Sequence, residues 1–409
     1  MTLNRKILAW AVYDWANSAF ALSVLAVLFP IFLGSYWSSG DSGAHVTARL
    51  GLVTAGAALV VSLIAPILGA IADLGGYRKR FLLILAFVGA AMTAALALPG
   101  EGNWPLALAF YLLASIGFYG STVFYDSMLV DVAEPSDYDV VSTLGYSLGY
   151  LGGALLLALH VWMLRSPATF GMESSAEVIK FAFFSVGVWW AVFLVPLILH
   201  VPENRHVTPQ LQGIVRSAFQ ELASTFRHIR QYRNIVKFLS AYWLYIGGVF
   251  TVISMAANYG QRLGFDNADL VLAFMITNLA GFPATLLYGY LGHKYGARNG
   301  IYLALTIYVL VSCWAVFMTE VRQFYVMAII VGCIQGGVQG LSRSFYATLI
   351  PKDQPGEFFG FYNMMTKFSH VIGPTVVGLA ALFSDSPAII LVVLLPLFIS
   401  GGLLLTRVD

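Results

Sequence analysis

The stretch Gly69-Ala-Ile-Ala-Asp73-Leu-Gly-Gly76-Tyr-Arg78 connects two long apolar segments and has a close copy in the second half of the chain. The copy is Gly289-Tyr-Leu-Gly-His293-Lys-Tyr-Gly296-Ala-Arg298, which begins 220 positions later. Both stretches follow the pattern G-x-x-x-(D/H)-x-x-G-x-R. The same shift relates five further residue pairs: Gly117 and Gly337, Gly120 and Gly340, Leu129 and Leu349, Pro135 and Pro355, and Gly153 and Gly373. A shift that holds over so much of the chain predicts two related halves.

The composition predicts a membrane protein. Of the 409 residues, 59% are hydrophobic and 10% are charged, and the mean hydropathy is +0.79. So little polar surface cannot coat a water-soluble globule of this length. Apolar stretches long enough to cross a bilayer recur at 7–33, 48–72, 81–99, 105–131, 140–164, 178–200, 235–258, 268–291, 300–319, 323–349, 357–383 and 387–406. The predicted fold is all-α and polytopic, with about twelve transmembrane helices in two six-helix bundles.

The distribution of basic residues predicts the orientation of the chain. Most of the 22 lysines and arginines fall at segment ends that share a side with the amino terminus. The positive-inside rule therefore places both termini and both repeated loops in the cytoplasm. The sequence has no N-x-S/T glycosylation acceptor, which favours a prokaryotic inner membrane. This topology accounts for the net charge of +2, which gives no reason to expect a nucleic-acid partner.

A polar connection between the halves divides the chain into three parts. We predict an amino-terminal bundle over 1–200, a cytoplasmic linker over 201–233 and a carboxy-terminal bundle over 234–409. Apolar residues recur at helical spacing in the linker: Leu211, Ile214, Val215, Phe219, Leu222 and Phe226. This spacing predicts an amphipathic helix that lies at the membrane surface and tethers the halves, and a flexible linker is the alternative.

Two similar bundles in a membrane are typical of a transporter, because their rocking about a central site gives alternating access. The sequence contains no G-x-x-x-x-G-K-[ST] loop, so an ion gradient or the cargo gradient itself is expected to supply the energy. Cys313 and Cys333 fall inside predicted spans and offer no thiolate metal site. We expect no cofactor and no metal, a small-molecule cargo, a coupling ion, and a monomer in the bilayer.

The repeated loop resembles the cytoplasmic signature between the second and third helices of the major facilitator superfamily. In that superfamily the acidic residue and the arginines of the loop bridge the two bundles and help to latch one state of the transport cycle. The resemblance implies gating roles for the following residues: Gly69, Asp73, Gly76, Arg78, Gly289, His293, Gly296 and Arg298. His293 departs from the superfamily pattern, because it replaces the acidic residue in the second copy.

A second motif, Tyr13-Asp14-Trp15-Ala16-Asn17-Ser18, lies inside the first span. It resembles the family of fungal vacuolar amino-acid effluxers linked to autophagy, together with its bacterial relatives. Tyr242-Trp243-Leu-Tyr245 in the seventh span and Gly360-Phe-Tyr-Asn363 in the eleventh extend the resemblance over the whole chain. The resemblance implies a major-facilitator transporter with amino acids as cargo.

Ionisable residues inside apolar spans mark the candidate site, because a charge exposed to lipid costs about 2.5–3.5 kcal/mol. These residues are Asp14, Asp126, Arg343 and Lys367, with His160 and His370 as weaker candidates. Polar residues recur on the same helix faces, and the predicted cargo contacts are Asn17, Tyr119, Gln335, Gln339, Arg343, Lys367, Tyr242 and Trp243. For the aromatic pair, interfacial anchoring is the alternative. Asp14 and Asp126 are the predicted proton-coupling residues.

Two carboxylates in one half and two cations in the other predict a clamp for a zwitterion such as an amino acid. In the alternative reading, the four charges pair as state-dependent bridges and never touch cargo. A cation-coupled sugar symporter is a further alternative, although residues 48–72 lack the aspartates that such symporters place in their second helix. A polytopic membrane enzyme is the remote alternative, since no H-E-x-x-H or H-x-x-x-x-D cluster occurs.

Overall fold

The structure is a computed structural model that describes residues 4–203, 213–381 and 389–408. Within these ranges twelve long helices follow one another: α1 Arg5–Trp37, α2 Gly43–Gly75, α3 Arg78–Ala95, α4 Trp104–Ser127, α5 Tyr138–Arg165, α6 Ser175–His200, α7 Arg233–Arg262, α8 Asn267–Tyr295, α9 Ala297–Ala315, α10 Val321–Leu349, α11 Pro355–Ala381 and α12 Ile389–Leu405. One further helix, Ile214–Arg227, lies between α6 and α7, and we call it the linker helix.

The predicted all-α, polytopic membrane fold is confirmed. Eight helices have the length and hydropathy that a bilayer crossing needs, namely α1, α2, α4, α5, α6, α7, α8 and α10. The helix α3 begins with three consecutive basic residues, Arg78-Lys79-Arg80, which lower its mean hydropathy. The count of twelve is consistent with the predicted number of spans.

Both repeated loops are tight turns that depend on glycine. The helix α2 ends at Gly75, and Gly76 follows with a φ of 64°, in the left-handed region. The helix α8 ends at Tyr295, and Gly296 follows with a φ of 90°. Residues with a β-carbon rarely adopt these conformations, which explains why glycine recurs at this position of the motif. Both turns lie on the side of the membrane where the chain begins and ends, which we call the terminal side.

The helices divide into an amino-terminal bundle, α1–α6, and a carboxy-terminal bundle, α7–α12. Between the bundles, α2 packs against α11 and α5 packs against α8. The shift of 220 positions relates these two contacts, because it carries α2 to α8 and α5 to α11. A β-carbon on Gly69 would lie 2.1 Å from the Gly356 carbonyl oxygen. Glycine in the motif therefore allows the bundles to approach at backbone distance.

The second half of α1 departs from regular α-helix. Its segments Phe20–Leu28 and Leu33–Trp37 are wound as π-helix. A π-helical turn is wider than an α-helical turn and is frequent at functional sites. Because of this winding, side-chain faces extrapolated from the regular first half of α1 do not hold beyond Phe20.

The linker helix packs against the terminal-side end of α2. Its buried residues are Ala218, Leu222 and Thr225, and the first two form one apolar cluster with Ala70 of α2. The predicted amphipathic segment begins earlier than the helix, and its part over 204–212, including Leu211, lies outside the described residues. The helical part therefore rests on a membrane helix and bridges toward α11, through a contact of Phe226 with Phe361.

Candidate functional site

A cavity of about 440 Å³ lies between the two bundles. Most of the residues predicted as cargo or coupling contacts line it: Asp14, Asn17, Tyr119, Asp126, Tyr242, Gln335, Gln339, Arg343 and Lys367. Trp243 is not among the described residues that line it. Neighbours on an α-helix point roughly 100° apart, so Tyr242 faces the cavity and Trp243 does not. Of the predicted cargo and coupling residues, Trp243 is thus the one that the structure does not bring to the described cavity wall.

Arg343 joins the bundles beneath the cavity. Its Nη1 atom lies 2.9 Å from Asp126 Oδ1, and its Nε and Nη2 atoms donate to the Ser142 hydroxyl and carbonyl oxygens at 2.9 and 2.7 Å. The side chain of Arg343 is 1% exposed. A buried guanidinium with this many charge-assisted contacts is fully engaged. In this conformation Arg343 therefore acts as an inter-bundle bridge, which is the alternative reading of the sequence.

The two aspartates differ in their surroundings. Asp126 also accepts a hydrogen bond from Asn363 Nδ2 at 3.0 Å, and its side chain is 4% exposed. Asp14 accepts from the Tyr125 hydroxyl at 3.2 Å and lies 4.0 Å from Arg343 Nη1, and its side chain is 12% exposed. Both aspartates line the cavity, but Asp126 is held by two partners from the other bundle, whereas Asp14 is the more exposed of the two.

Lys367 is the second cation of the cavity. Its Nζ atom lies 4.1 Å from the centroid of the Tyr119 ring, a cation–π distance. It makes no hydrogen bond or ion pair with any residue that the structure describes. One turn away, the His370 ring stacks on Phe250 at 3.9 Å between centroids, and both also line the cavity. Lys367 therefore presents an ammonium group that is free to receive an anion.

Sequence reasoning missed two tyrosines of α5. The Tyr146 ring lies 4.4 Å from the Arg343 guanidinium, and the Tyr150 hydroxyl accepts from Gln339 Nε2 at 3.5 Å. Both tyrosines line the cavity and follow directly after Gly145 and Gly149 of a G-x-x-x-G pattern. Their spacing of four residues was the available signal, since it places them on one helix face.

His160 lies away from this cavity. It is buried between α5 and α6, where its Nε2 atom is 2.9 Å from the Ser185 hydroxyl oxygen. The sequence marks it only as a weaker candidate, and the structure gives it a partner within its own bundle. His160 therefore belongs to the packing of the amino-terminal bundle.

The cavity extends away from the terminal side. It is lined by Ala257 near the end of α7, Leu270 near the start of α8 and Phe324 near the start of α10. These helix ends lie opposite the chain termini. The Arg343–Asp126 bridge and the repeated loops lie on the other side of the cavity. The bundles are therefore closed on the terminal side and apart on the opposite side.

The first repeated loop closes the contact between α2 and α11. The Asp73 carboxylate accepts from the backbone N–H groups of Gly356 and Glu357 at 3.0 and 2.9 Å, in the first turn of α11. Arg78 lies 3.5 Å from Asp73 and 2.9 Å from Asp131. A carboxylate at a helix amino terminus satisfies free N–H groups and interacts favourably with the helix dipole. Asp73 thus caps a helix of the opposite bundle.

The second repeated loop makes different contacts. His293 Nδ1 lies 3.0 Å from the Ser136 carbonyl oxygen, in the short turn before α5. Arg298 donates to the Val408 and Thr406 carbonyl oxygens at 2.7 and 2.9 Å, within its own bundle. In this conformation Arg298 therefore anchors the carboxy-terminal segment of its own bundle, unlike Asp73, which reaches the opposite bundle.

Solved structures with the same arrangement of helices identify the fold. The human organic anion transporter MFSD10 (TETRAN) is 17% identical, with a TM-score of 0.77 over 98% of this chain and 99% of that chain. The proton:xylose symporter XylE is 14% identical, with a TM-score of 0.71 over 99% and 95%. The chain therefore has the fold of these transporters, that of the major facilitator superfamily.

The family follows from sequence. A family profile described as "Vacuole effluxer Atg22 like" matches residues 44–137 and 131–409, and the chain belongs to this family. The MFS-type transporter YxiO of Bacillus subtilis (strain 168), whose function is uncharacterised, is 36% identical over 403 residues, covering 98% of this chain and 94% of YxiO. Autophagy-related protein 22 of Yarrowia lipolytica is 26% identical over 271 residues, covering 58% and 45%. The predicted family is confirmed, and the chain is a transporter, not an enzyme.

Proposed function

We propose that this chain is a secondary transporter for a small zwitterion, an amino acid or a close analogue, which it moves by alternating access coupled to protons. One observation carries the proposal: the cavity holds two carboxylates and two cations, and one of each, Asp14 and Lys367, lies outside the short Arg343–Asp126 hydrogen bond that joins the bundles. Asp14 makes only a longer ion pair with Arg343, at 4.0 Å. The formal charges of the four groups cancel. A neutral cargo with separated charges keeps that balance, whereas a lone ion would leave a charge unpaired at low dielectric.

Lys367 is the proposed partner of the cargo carboxylate. Arg343 already holds Asp126 and Ser142, so recruiting it would break buried hydrogen bonds. The Lys367 ammonium has three donors and lies over the face of Tyr119, with no hydrogen bond or ion pair to any residue in the described part of the chain. Asp14 and Asn17 of α1 are the proposed partners of the cargo ammonium. Gln335, Gln339 and Tyr242 add hydrogen-bonding groups along the same cavity.

Asp14 is the proposed proton-coupling residue. Its carboxylate reaches the cavity and has one hydrogen-bond donor, Tyr125, whereas Asp126 is held by Arg343 and Asn363. Protonation of Asp14 would leave Asp126 as the carboxylate that neutralises the charge of Arg343. The Asp126–Arg343 bridge must break before the terminal side can open, so we assign Asp126 to the conformational change and not to the proton.

The names of related proteins support transport of small polar cargo in this fold. The family description speaks of an effluxer, and XylE is a proton:xylose symporter. The Gln335 amide in the cavity wall would also suit a sugar hydroxyl. A cation-coupled sugar symporter is therefore the second candidate, and an organic anion carried with a proton on Asp14 is a variant of the first.

A ligand screen separates these candidates. Purified protein is heated with amino acids, sugars, nucleosides or organic anions, because a cargo stabilises the state that binds it. We expect amino acids to raise the Tm of wild type, and Lys367→Gln to weaken binding about ten- to hundredfold, the worth of one charge-assisted contact. The matched control is Lys294→Gln, an exposed lysine. Stabilisation by sugars with Lys367→Gln unaffected would overturn the proposal.

A second experiment tests the coupling residue. In vesicles with an imposed proton gradient, Asp14→Asn should abolish gradient-driven accumulation while exchange of cargo across the membrane persists. Asp126→Asn should slow both processes, because it weakens the bridge to Arg343. Normal pH-dependent accumulation by Asp14→Asn would show that another group carries the proton.

We also propose that the terminal side is cytoplasmic and that the protein works as a monomer in a prokaryotic inner membrane. The basic residues of the terminal-side ends support the orientation. Single cysteines at positions 80 and 294 should both react with a membrane-impermeant reagent only from the cytoplasmic face. Labelling of the two positions from opposite faces would contradict it.

A further inference from the structure

The linker helix has a face that the protein does not cover. Its inner face, Ala218 and Leu222, is buried against α2. Next to that face, Val215, Phe219 and Phe226 are 53%, 53% and 59% exposed. Spacings of four and seven residues align these three side chains in one stripe. A stripe of large apolar side chains on an amphipathic helix requires a partner that removes it from water.

The surface of α2 indicates what the partner is. Leu59 and Leu63 of α2 are exposed and face the lipid. The same helix face continues at intervals of three or four residues into Ile67, Ile71 and Leu74, and these pack against the linker helix. The linker helix therefore lies at the point where the lipid-facing surface of α2 ends. Its apolar stripe is therefore continuous with an exposed apolar surface of a helix that is long and apolar enough to span a membrane.

The charged residues of the linker helix also fit a position beside the lipid. Arg216 and Arg227 are exposed and lie roughly 100–120° around the helix from Val215, on the edge away from the buried face. Glu221 lies on the opposite edge, toward the protein, where it accepts from Gln354 Nε2 at 2.6 Å. The cations thus border the apolar stripe, and the carboxylate is turned away from it.

We propose that the linker helix binds anionic phospholipid in the terminal-side leaflet. The stripe of Val215, Phe219 and Phe226 lies among the acyl chains close to the headgroups, and Arg216 and Arg227 bind headgroup phosphates. A second copy of this chain is a poorer occupant, because two arginine edges would repel each other. The bound lipid stabilises the contact of the linker helix with α2 and, through Phe226 and Phe361, its contact with α11.

Depth measurements test the position of the helix. Cys313 and Cys333 are replaced by alanine, and a fluorophore is attached to a cysteine at position 219 or at position 224. Ser224 is exposed on the polar face of the same helix and serves as the matched control. In vesicles of equal amounts of phosphatidylcholine and phosphatidylglycerol, lipids with a quencher near the headgroup should quench position 219 strongly and position 224 weakly. Equal quenching at the two positions would overturn the proposal.

Lipid titrations test the arginines. The double variant Arg216→Gln/Arg227→Gln should lose about fivefold in affinity for short-chain phosphatidylglycerol for each arginine, the effect of one basic residue near an anionic surface. The control, Lys294→Gln/Lys352→Gln, removes two exposed charges from the same side of the protein and should change little. If the double variant binds the lipid like wild type, or if glycerol phosphate alone stabilises wild type as much as the lipid, the proposal is wrong.

Discussion

The two repeated loops occupy equivalent positions in the two halves but hold the bundles together by different chemistry. The first loop places a buried carboxylate, Asp73, on two backbone N–H groups of α11. The second places an exposed imidazole, His293, next to a single carbonyl oxygen before α5. The repeated pattern therefore keeps a glycine of positive φ at the turn, with ψ of 36° at Gly76 and 139° at Gly296, but not the interaction across the interface.

The difference follows from what a helix terminus offers. The amino terminus of α11 presents free N–H groups, which bind an anion well and an imidazole poorly. On the side of the second loop, α5 makes hydrogen bonds with α10: the Ser142 hydroxyl donates to the Gly340 carbonyl oxygen at 2.7 Å, and the Ser344 hydroxyl donates to the Asp139 carboxylate. At the first interface one carboxylate accepts both backbone hydrogen bonds, whereas at the second the polar contacts are spread over several side chains, Asp139 among them.

The largest expected effect comes from Asp73→Asn. The change removes the charge from two buried hydrogen bonds and from the contact with Arg78, which we expect to favour opening of the terminal side by roughly 3 kcal/mol, or about a hundredfold. Spin labels at Glu134 and Asn299, exposed residues of opposite bundles, report the opening as a longer distance. Transport should slow while cargo affinity stays within a few-fold, and loss of binding by a folded variant would contradict the latch.

The second effect compares the glycines of the two loops. A β-carbon at Gly69 would meet the Gly356 carbonyl oxygen at 2.1 Å, whereas one at Gly289 would meet Thr143 Oγ1 at 2.0 Å. A backbone atom cannot move away by rotation, but a threonine side chain can. Gly69→Ala should therefore shift the free-energy difference between the closed and open states by roughly 1–3 kcal/mol toward opening of the terminal side, and Gly289→Ala should shift it by less. Adding Thr143→Ala should restore closure in Gly289→Ala, and equal opening by both single variants would refute the distinction.

A smaller effect is expected at the second loop itself. His293→Ala removes one exposed hydrogen bond, which contributes about 0.5–1 kcal/mol, or two- to fivefold in the open population. The same pair of spin labels measures it, and Lys294→Ala controls for a change at the neighbouring exposed position. An effect as large as that of Asp73→Asn would break the contrast between the loops.

The smallest effect concerns the linker helix beside the first loop. Burial raises the pKa of Glu221, the hydrogen bond from Gln354 opposes that rise, and the Asp353 charge adds to it. A raised pKa in the folded state means that this contribution to stability is present at low pH and is lost as the pH rises through that pKa. Glu221→Gln should remove the pH dependence, with an effect below about 1 kcal/mol because the site is half exposed.

Amide hydrogen exchange in the linker helix, corrected for the intrinsic effect of pH, measures this change. Wild type should lose protection as the pH rises, and Glu221→Gln should not. His228→Gln, at an exposed position just after the helix, controls for other titrations. Identical pH profiles for wild type and Glu221→Gln would exclude Glu221 as the titrating group.

The sequence by itself determined the membrane class, the two halves and the set of charged residues in the cavity. These properties depend on composition, on the fixed shift between the two halves and on the cost of a charge in lipid, and each can be evaluated from the sequence without knowing which helices are in contact. The role of the motif glycines could also be predicted from the sequence, because only a turn or a close approach of two helices requires glycine at matched positions.

Only the tertiary structure decided which charges pair. Arg343 pairs with Asp126 from the other half, while Lys367, on the next helix, lies over the ring of Tyr119. Tyr146 and Tyr150 enter the cavity because α5 lies against α8 and α10. Such pairings depend on the rotation of each helix and on which side of the bundles is closed. A periodic pattern gives the face of a helix, but the partner of that face belongs to a distant part of the chain.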